Sequence, residues 1–121
     1  MAKILVIDDD SLAREAMAIS LQDDGHTVFM AKDGAVGVKM ADEQNFDVVV
    51  TDVVMPNKEG LGTLMDIKQN HQYTKVIVVS GGGRSSPALY LDTAKVMGAD
   101  GILAKPFSSS ELQECVAQAL V

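Results

Sequence analysis

The stretch KILVIDDDS, Lys3 to Ser11, runs four apolar side chains straight into three carboxylates and then a hydroxyl. An unbroken apolar run of this kind reads as a strand covered on both faces, as in parallel sheets. The residues after it read as a helix start, with Ser11 as a candidate cap and Asp10 able to help at the positive end of the helix. The junction is therefore a β-to-α turn, and it is crowded with acid. Like charges side by side repel one another, and burial raises the cost of each. Something at this turn must make Asp8, Asp9 and Asp10 tolerable.

Working outward, the same punctuation repeats. Further β-rich runs occur at HTVFMA (26–31), FDVVVTD (46–52), KVIVVS (75–80) and DGILAK (100–105), each followed by a segment with helical signals. HTVFMA is a weaker strand signal and is predicted at an edge of the sheet. The first helix is expected to present Ala13, Ala16, Met17, Ser20 and Leu21 on one face and to end at Gly25. Further helices are predicted over roughly 34–44 and 58–71. A fourth starts at Ser86-Pro87 and stops at Gly98, since proline suits a first helical position. The last opens at Ser108 to Ser110 and carries Leu112, Cys115, Val116, Ala119 and Leu120 at helical spacing. Five βα units in 121 residues predict one α/β domain, a three-layer sandwich over residues 1–121.

Composition narrows the functional classes. The net charge is −7, from 10 basic and 17 acidic residues, so the phosphate-neutralising surface of a nucleic-acid binder is not expected. With no Trp, two Tyr and three Phe, a base-stacking platform is not expected either. No apolar run approaches the ~20 residues of a membrane span, and the acidic N-terminus does not read as a secretory signal. A single cysteine, Cys115, rules out an internal disulfide and suits a reducing, cytoplasmic setting. Cys115 is read as a small core residue. The seven Met are read mostly as core filler, and His26 and His71 as surface residues without ligand-spaced partners. Leu12 and Ile19, seven apart on the first helix, fall outside its core face. They are ordinary exposed apolar residues or a stripe for a partner helix.

In an open α/β sheet, chemistry gathers at the carboxyl ends of the strands. Those ends carry Asp8 and Asp9, Asp52, Ser80 and Lys105. Any one of them is unremarkable, since an aspartate after a strand is usually a cap and a lysine usually solvated. Together they suit phosphoryl transfer. Clustered carboxylates without nearby His or Cys select a hard cation such as Mg²⁺. An aspartate can serve as nucleophile, and a cation, an ammonium and a hydroxyl can neutralise phosphoryl oxygens.

The set IDDD, TDVVMP, VVS and AKPF, in this order and spacing, resembles the receiver domain of two-component response regulators, and the likeness covers residues 3–121. The resemblance implies a flavodoxin-like (βα)5 fold with strand order 2-1-3-4-5 and a signalling switch rather than a conventional enzyme. The domain would catalyse its own phosphorylation and dephosphorylation. By the same resemblance Asp52 is the phosphoacceptor. Asp9 ligates Mg²⁺ (or Mn²⁺) directly, with Asp8 acting through water and Asp52 and the Val54 carbonyl as further ligands. Ser80 is the switch hydroxyl, Lys105 contacts the phosphoryl group, and Pro106 follows a cis peptide. A sensor histidine kinase or histidine phosphotransfer protein is the implied donor. A downstream protein target is the implied output, through the face of the fourth helix, fifth strand and fifth helix, with no output domain following in this chain.

Two departures stand out. Ile102 occupies a switch position that is usually aromatic, so a ring flip cannot report on Ser80. GGGRSSP (81–87) looks longer than usual, and its Gly81–Gly83 run is read as a flexible connector rather than as a loop whose Arg84 reaches the phosphate. A competing reading takes Asp8-x-Asp10 as the nucleophile and acid/base of a haloacid-dehalogenase-like phosphatase. That leaves TDVVMP unexplained and no room for a cap. A third reading is a degenerate receiver that only binds, against which the complete site set counts.

Overall fold

The computed structural model describes residues 1–52, 59–80 and 87–121. Its strands are β1 (Lys3–Ile7), β2 (Thr27–Ala31), β3 (Val48–Asp52), β4 (Lys75–Ser80) and β5 (Gly101–Ala104). They alternate with α1 (Ser11–Asp23), α2 (Gly34–Glu43), α3 (Glu59–Asn70), α4 (Pro87–Val96) and α5 (Ser109–Ala119). Among the described residues the strands form one parallel sheet in the order β2-β1-β3-β4-β5, the expected flavodoxin-like arrangement. HTVFMA is indeed an edge strand, and its burial is the most broken of the four longer runs.

Because successive strand side chains point to opposite faces, each apolar run feeds two cores. Leu5, Ile7, Val49, Val76 and Val78 pack with Leu64 and Ile67 of α3 and with residues of α2 and α4. Ile4, Val6, Val48, Val50, Ile77 and Val79 pack with Met17 and Leu21 of α1 and Leu112 and Val116 of α5. The helices therefore divide three and two across the sheet. Each fully buried aliphatic side chain contributes about 1.5–3 kcal/mol of transfer free energy, which is why the central strands can spare almost no polar residue away from their ends.

Local signals set the helix limits, with some revisions. Asp10, not Ser11, caps α1: its carboxylate accepts from the Leu12 and Ala13 amides, leaving Ser11 as the first helical residue. Both types cap well, and the turn geometry decides between neighbours. On α1 the buried positions are Met17, Ala18, Ser20 and Leu21, while Ala16 is exposed. Gly25 and Gly98 end α1 and α4 at φ of 90° and 103°, a conformation that side chains resist. Ser108 and Glu111 form a full capping box on α5. Leu120 caps that helix and is exposed rather than buried. The predicted cap Ser86 lies outside the described residues.

Of the six described methionines, Met17 is buried and Met40 and Met97 pack partly buried against the core, whereas Met1, Met30 and Met65 are exposed, so the core-filler reading holds for half of them. His26 is not a surface residue. Its ring is largely covered and its Nδ1 accepts from the Ala2 amide at 3.1 Å. His71 meets Asp42 at 2.7 Å, joining the end of α3 to α2. Among the described residues no helix is long and apolar enough to cross a membrane.

Candidate phosphoryl-transfer site

The sheet delivers four strand ends to one rim. β1 and β3 are neighbours, with Ile7 beside Thr51, so Asp8 and Asp52 leave adjacent strands at nearly the same level. β4 lies on the other side of β3, with Val79 beside Asp52, which puts Ser80 one residue further along. β5 pairs with β4 through Ser80 and Ala104, and Lys105 follows. The Lys105 amide donates to the Ser80 carbonyl at 2.7 Å, and the Lys105–Pro106 peptide is cis.

From β5 the Lys105 ammonium reaches back across the rim. Its Nζ lies 2.7 Å from Asp52 Oδ2 and 3.2 Å from Asp8 Oδ2. Both acids are nearly fully buried, and the lysine side chain is about 25% exposed. Burial alone would lower the Lys105 pKa. The hydrogen bond and charge of Asp52, together with those of Asp8, outweigh it and hold the ammonium above its ordinary value. One cation thus serves two carboxylates in a region of low dielectric, where an unpaired acid would be costly.

Asp8 is held on every side. Its amide donates to Ala31 O at 3.2 Å, its Oδ1 accepts from the Asp10 amide at 2.9 Å, and its carbonyl accepts from Arg14 Nη1 at 2.8 Å. Asp9 differs: its side chain faces solvent and has no partner among the described residues. Thr51 is buried beside Asp52 and donates from Oγ1 to the Asp52 carbonyl at 3.3 Å. Ser80 Oγ is fully buried without a hydrogen-bond partner among the described residues. A hydroxyl in that condition costs roughly 1–3 kcal/mol, and the Ser20 and Thr63 hydroxyls are in the same condition.

The sequence therefore named Asp8, Asp9, Asp52, Ser80 and Lys105; the fold joins Asp8 and Asp52 through Lys105, places Ser80 on the strand beside Asp52, and leaves the Asp9 side chain in solvent. Val54 lies outside the described residues, as do Gly82 and the whole Gly81–Gly83 run with Arg84. Ile102 is half-buried in β5, opposite Val78, and packs toward the core under α4. Asp10 is spent on the α1 cap and does not join Asp8, which removes the acid/base of the phosphatase reading. Arg14 and Thr51 were not singled out by the sequence. A lone Arg on a helix reads as solvated, and its only signal is a position one turn past the cap, within reach of the acidic turn.

The donor set bears on a cation. Asp8 and Asp52 face one ammonium at this rim, an excess of negative charge, while the Asp9 carboxylate faces solvent. Among the described residues no group of three or more His, Cys, Asp or Glu side chains is arranged to hold a metal alone. Asp8, Asp9 and Asp52 are the carboxylates at this rim that could hold a hard cation, a type of ion that takes one or two carboxylates together with waters.

Comparison with known proteins agrees with this geometry. The family model for the response regulator receiver domain matches residues 4–117. The transcriptional regulatory protein CpxR of Escherichia coli K12 is 34% identical over 112 residues, which is 93% of this chain and 46% of CpxR. The chain thus spans about half the length of such curated relatives. A receiver domain protein from Clostridium thermocellum superposes with a TM-score of 0.90 at 32% identity, covering 99% of this chain and 94% of that one. The chemotaxis protein CheY4 of Vibrio cholerae gives 0.86 at 32% identity, covering 99% of both chains. The site, the fold and these matches converge, and the chain belongs to the response regulator receiver domain family.

Proposed function

We propose that the domain is a phosphoacceptor switch in which Asp52 takes a phosphoryl group from a phosphohistidine donor. The observation that carries this is the Lys105 ammonium bridging Asp52 and Asp8 beside a buried, unpartnered Ser80 hydroxyl. An Asp52 carboxylate oxygen attacks phosphorus, the N–P bond breaks, and the imidazole leaves with the bonding pair, which is protonated from solvent. Lys105 already contacts the nucleophile, so it meets the developing charge without rearranging. Ser80 donates its spare hydrogen to a phosphoryl oxygen. Asp8 and Asp9, with the Val54 carbonyl, would hold Mg²⁺, whose charge would neutralise the remaining phosphoryl oxygens and let the acids approach a phosphate. Hydrolysis reverses the state when water attacks phosphorus and the Asp52 carboxylate departs.

Output follows from charge and packing. Phosphorylation adds negative charge to a rim that already carries an excess and draws Ser80 toward Asp52. Ile102, on the neighbouring strand, can repack into the space released under α4, an aliphatic adjustment in place of a ring flip. The population of the α4–β5–α5 face then changes, which a downstream protein reads. The donor is a histidine kinase or histidine phosphotransfer protein.

Mass spectrometry after acetyl phosphate and Mg²⁺ tests the proposal. One added phosphoryl group is expected on the native chain and none on Asp52→Asn. Uptake that survives Asp52→Asn and vanishes in Asp8→Asn would restore the phosphatase reading. No uptake by the native chain would leave a binding module.

A further inference from the structure

The least explained contact at the rim is the one from Arg14. Its Nη1 donates to the Asp8 carbonyl at 2.8 Å, six residues back and across the turn that carries Asp9. A peptide unit is planar, so fixing the Asp8 carbonyl also fixes the direction of the Asp9 amide. The peptide on the other side of Asp9 is fixed as well, because the Asp10 amide is held by Asp8 Oδ1 at 2.9 Å. The Arg14 amide in turn donates to the Asp10 carbonyl at 2.9 Å, which roots the arginine in the same turn. Asp9 itself contributes no anchoring contact among the described residues. Its exposed carboxylate is aimed only by the two peptides that flank it.

We infer that Arg14 is a positioning residue for the cation-binding turn, orienting Asp9 through the Asp8 carbonyl. The inference rests on the reading of Asp8 and Asp9 as the cation acids. Two physical effects of Arg14 oppose each other, and their signs separate them. As a permanent positive charge beside three carboxylates, the guanidinium repels a divalent cation. As a clamp on the turn, it pre-aims a ligand and so favours the same cation. Removing the side chain therefore tightens cation binding if charge dominates and weakens it if positioning does.

The test is a Mg²⁺ titration followed by the amide resonances of residues 8–10 in native protein, Arg14→Ala and Arg14→Lys, with thermal melts to establish that each variant folds. Loss of an outer contact to a metal ligand typically costs 10–100-fold, so Arg14→Ala is expected to weaken Mg²⁺ binding by roughly tenfold. It should also raise the Mg²⁺ concentration needed for half-maximal phosphorylation by acetyl phosphate, with the rate recovered at saturating Mg²⁺. Arg14→Lys, which keeps a donor and the charge, should restore most of the affinity. Unchanged or tighter binding in Arg14→Ala overturns the inference, and so does a folded Arg14→Lys no better than Arg14→Ala. A native chain that shows no saturable Mg²⁺ response defeats instead the reading of the acids on which it depends.

Discussion

At the scale of single residues, the central fact is that one ammonium balances two buried acids. Removing one partner of a fully buried pair costs about 3–5 kcal/mol, and the partial exposure of Lys105 discounts that. Lys105→Met is therefore expected to destabilise the metal-free domain by about 2 kcal/mol in urea melts. The pH dependence has a definite sign. The folded pKa of Lys105 lies above its unfolded value, so its contribution is complete below about pH 10.4 and is lost only as pH rises through the folded value. The difference between native and Lys105→Met stability should stay level from neutral pH to about 10 and shrink beyond it. A difference that already shrinks between neutral pH and 9 would mean that Lys105 is not the counter-ion of these acids. Most of this cluster was legible beforehand because unlike groups at matching strand ends need a common cause. Arg14 and His26 were not. Each acts on a backbone group through a turn or across 24 residues, and a sequence displays side-chain types but not where they reach.

Elements come next, and there the sequence was clearest where burial is most lopsided. β1, β3 and β4 are apolar almost throughout because helices cover both faces, so their existence and limits could be read directly. α1 was less exact. Of its two candidate caps, Asp10 and Ser11, the structure uses Asp10, and its buried face includes Ala18 in place of Ala16 because small side chains barely register in a periodicity. Glycines inside helices carry the opposite kind of information, since one sequence letter covers two environments. In α2, a Cβ on Gly37 would lie 2.8 Å from Ile7 Cγ1 and closer still to Cδ1, so this helix rests directly on β1. Ile7 is fully buried and has little room to yield. In α3, Gly62 faces solvent, and a Cβ there would meet nothing within 4 Å. Gly37→Ala is therefore expected to cost about 1–3 kcal/mol through overpacking, despite the better helix propensity of alanine. Gly62→Ala should gain about 0.5–1 kcal/mol. Chemical denaturation of the two variants decides the matter, and equal shifts in both would show that close contact with β1 plays no part.

For the whole molecule, the question is how a donor protein finds a rim whose nucleophile is almost completely buried. The division of helices places α1 and α5 together on one face, and between them and the segment after β5 lies a groove of about 480 Å³. Ala13, Ala16, Met17, Pro106, Phe107 and Leu112 line it together with Lys105, the residue that contacts Asp8 and Asp52. Leu12 and Ile19, on the same helix, are 77% and 57% exposed. Exposed leucines and isoleucines are common one at a time. Here two of them lie on a helix that also lines an apolar groove. A helix of the donor seated there would bury both side chains while its phosphohistidine approaches Asp52, and a small donor such as acetyl phosphate would need neither. Leu12→Glu and Ile19→Glu lie on the surface and should leave stability within about 0.5 kcal/mol. Because burying an unpaired charge is costly, each should slow phosphotransfer from the cognate donor protein by at least roughly tenfold, a loss of about 1.4 kcal/mol. The rate with acetyl phosphate should be unchanged. Equal slowing with both donors would place the effect in the site itself, and no slowing with either would move the docking surface away from α1.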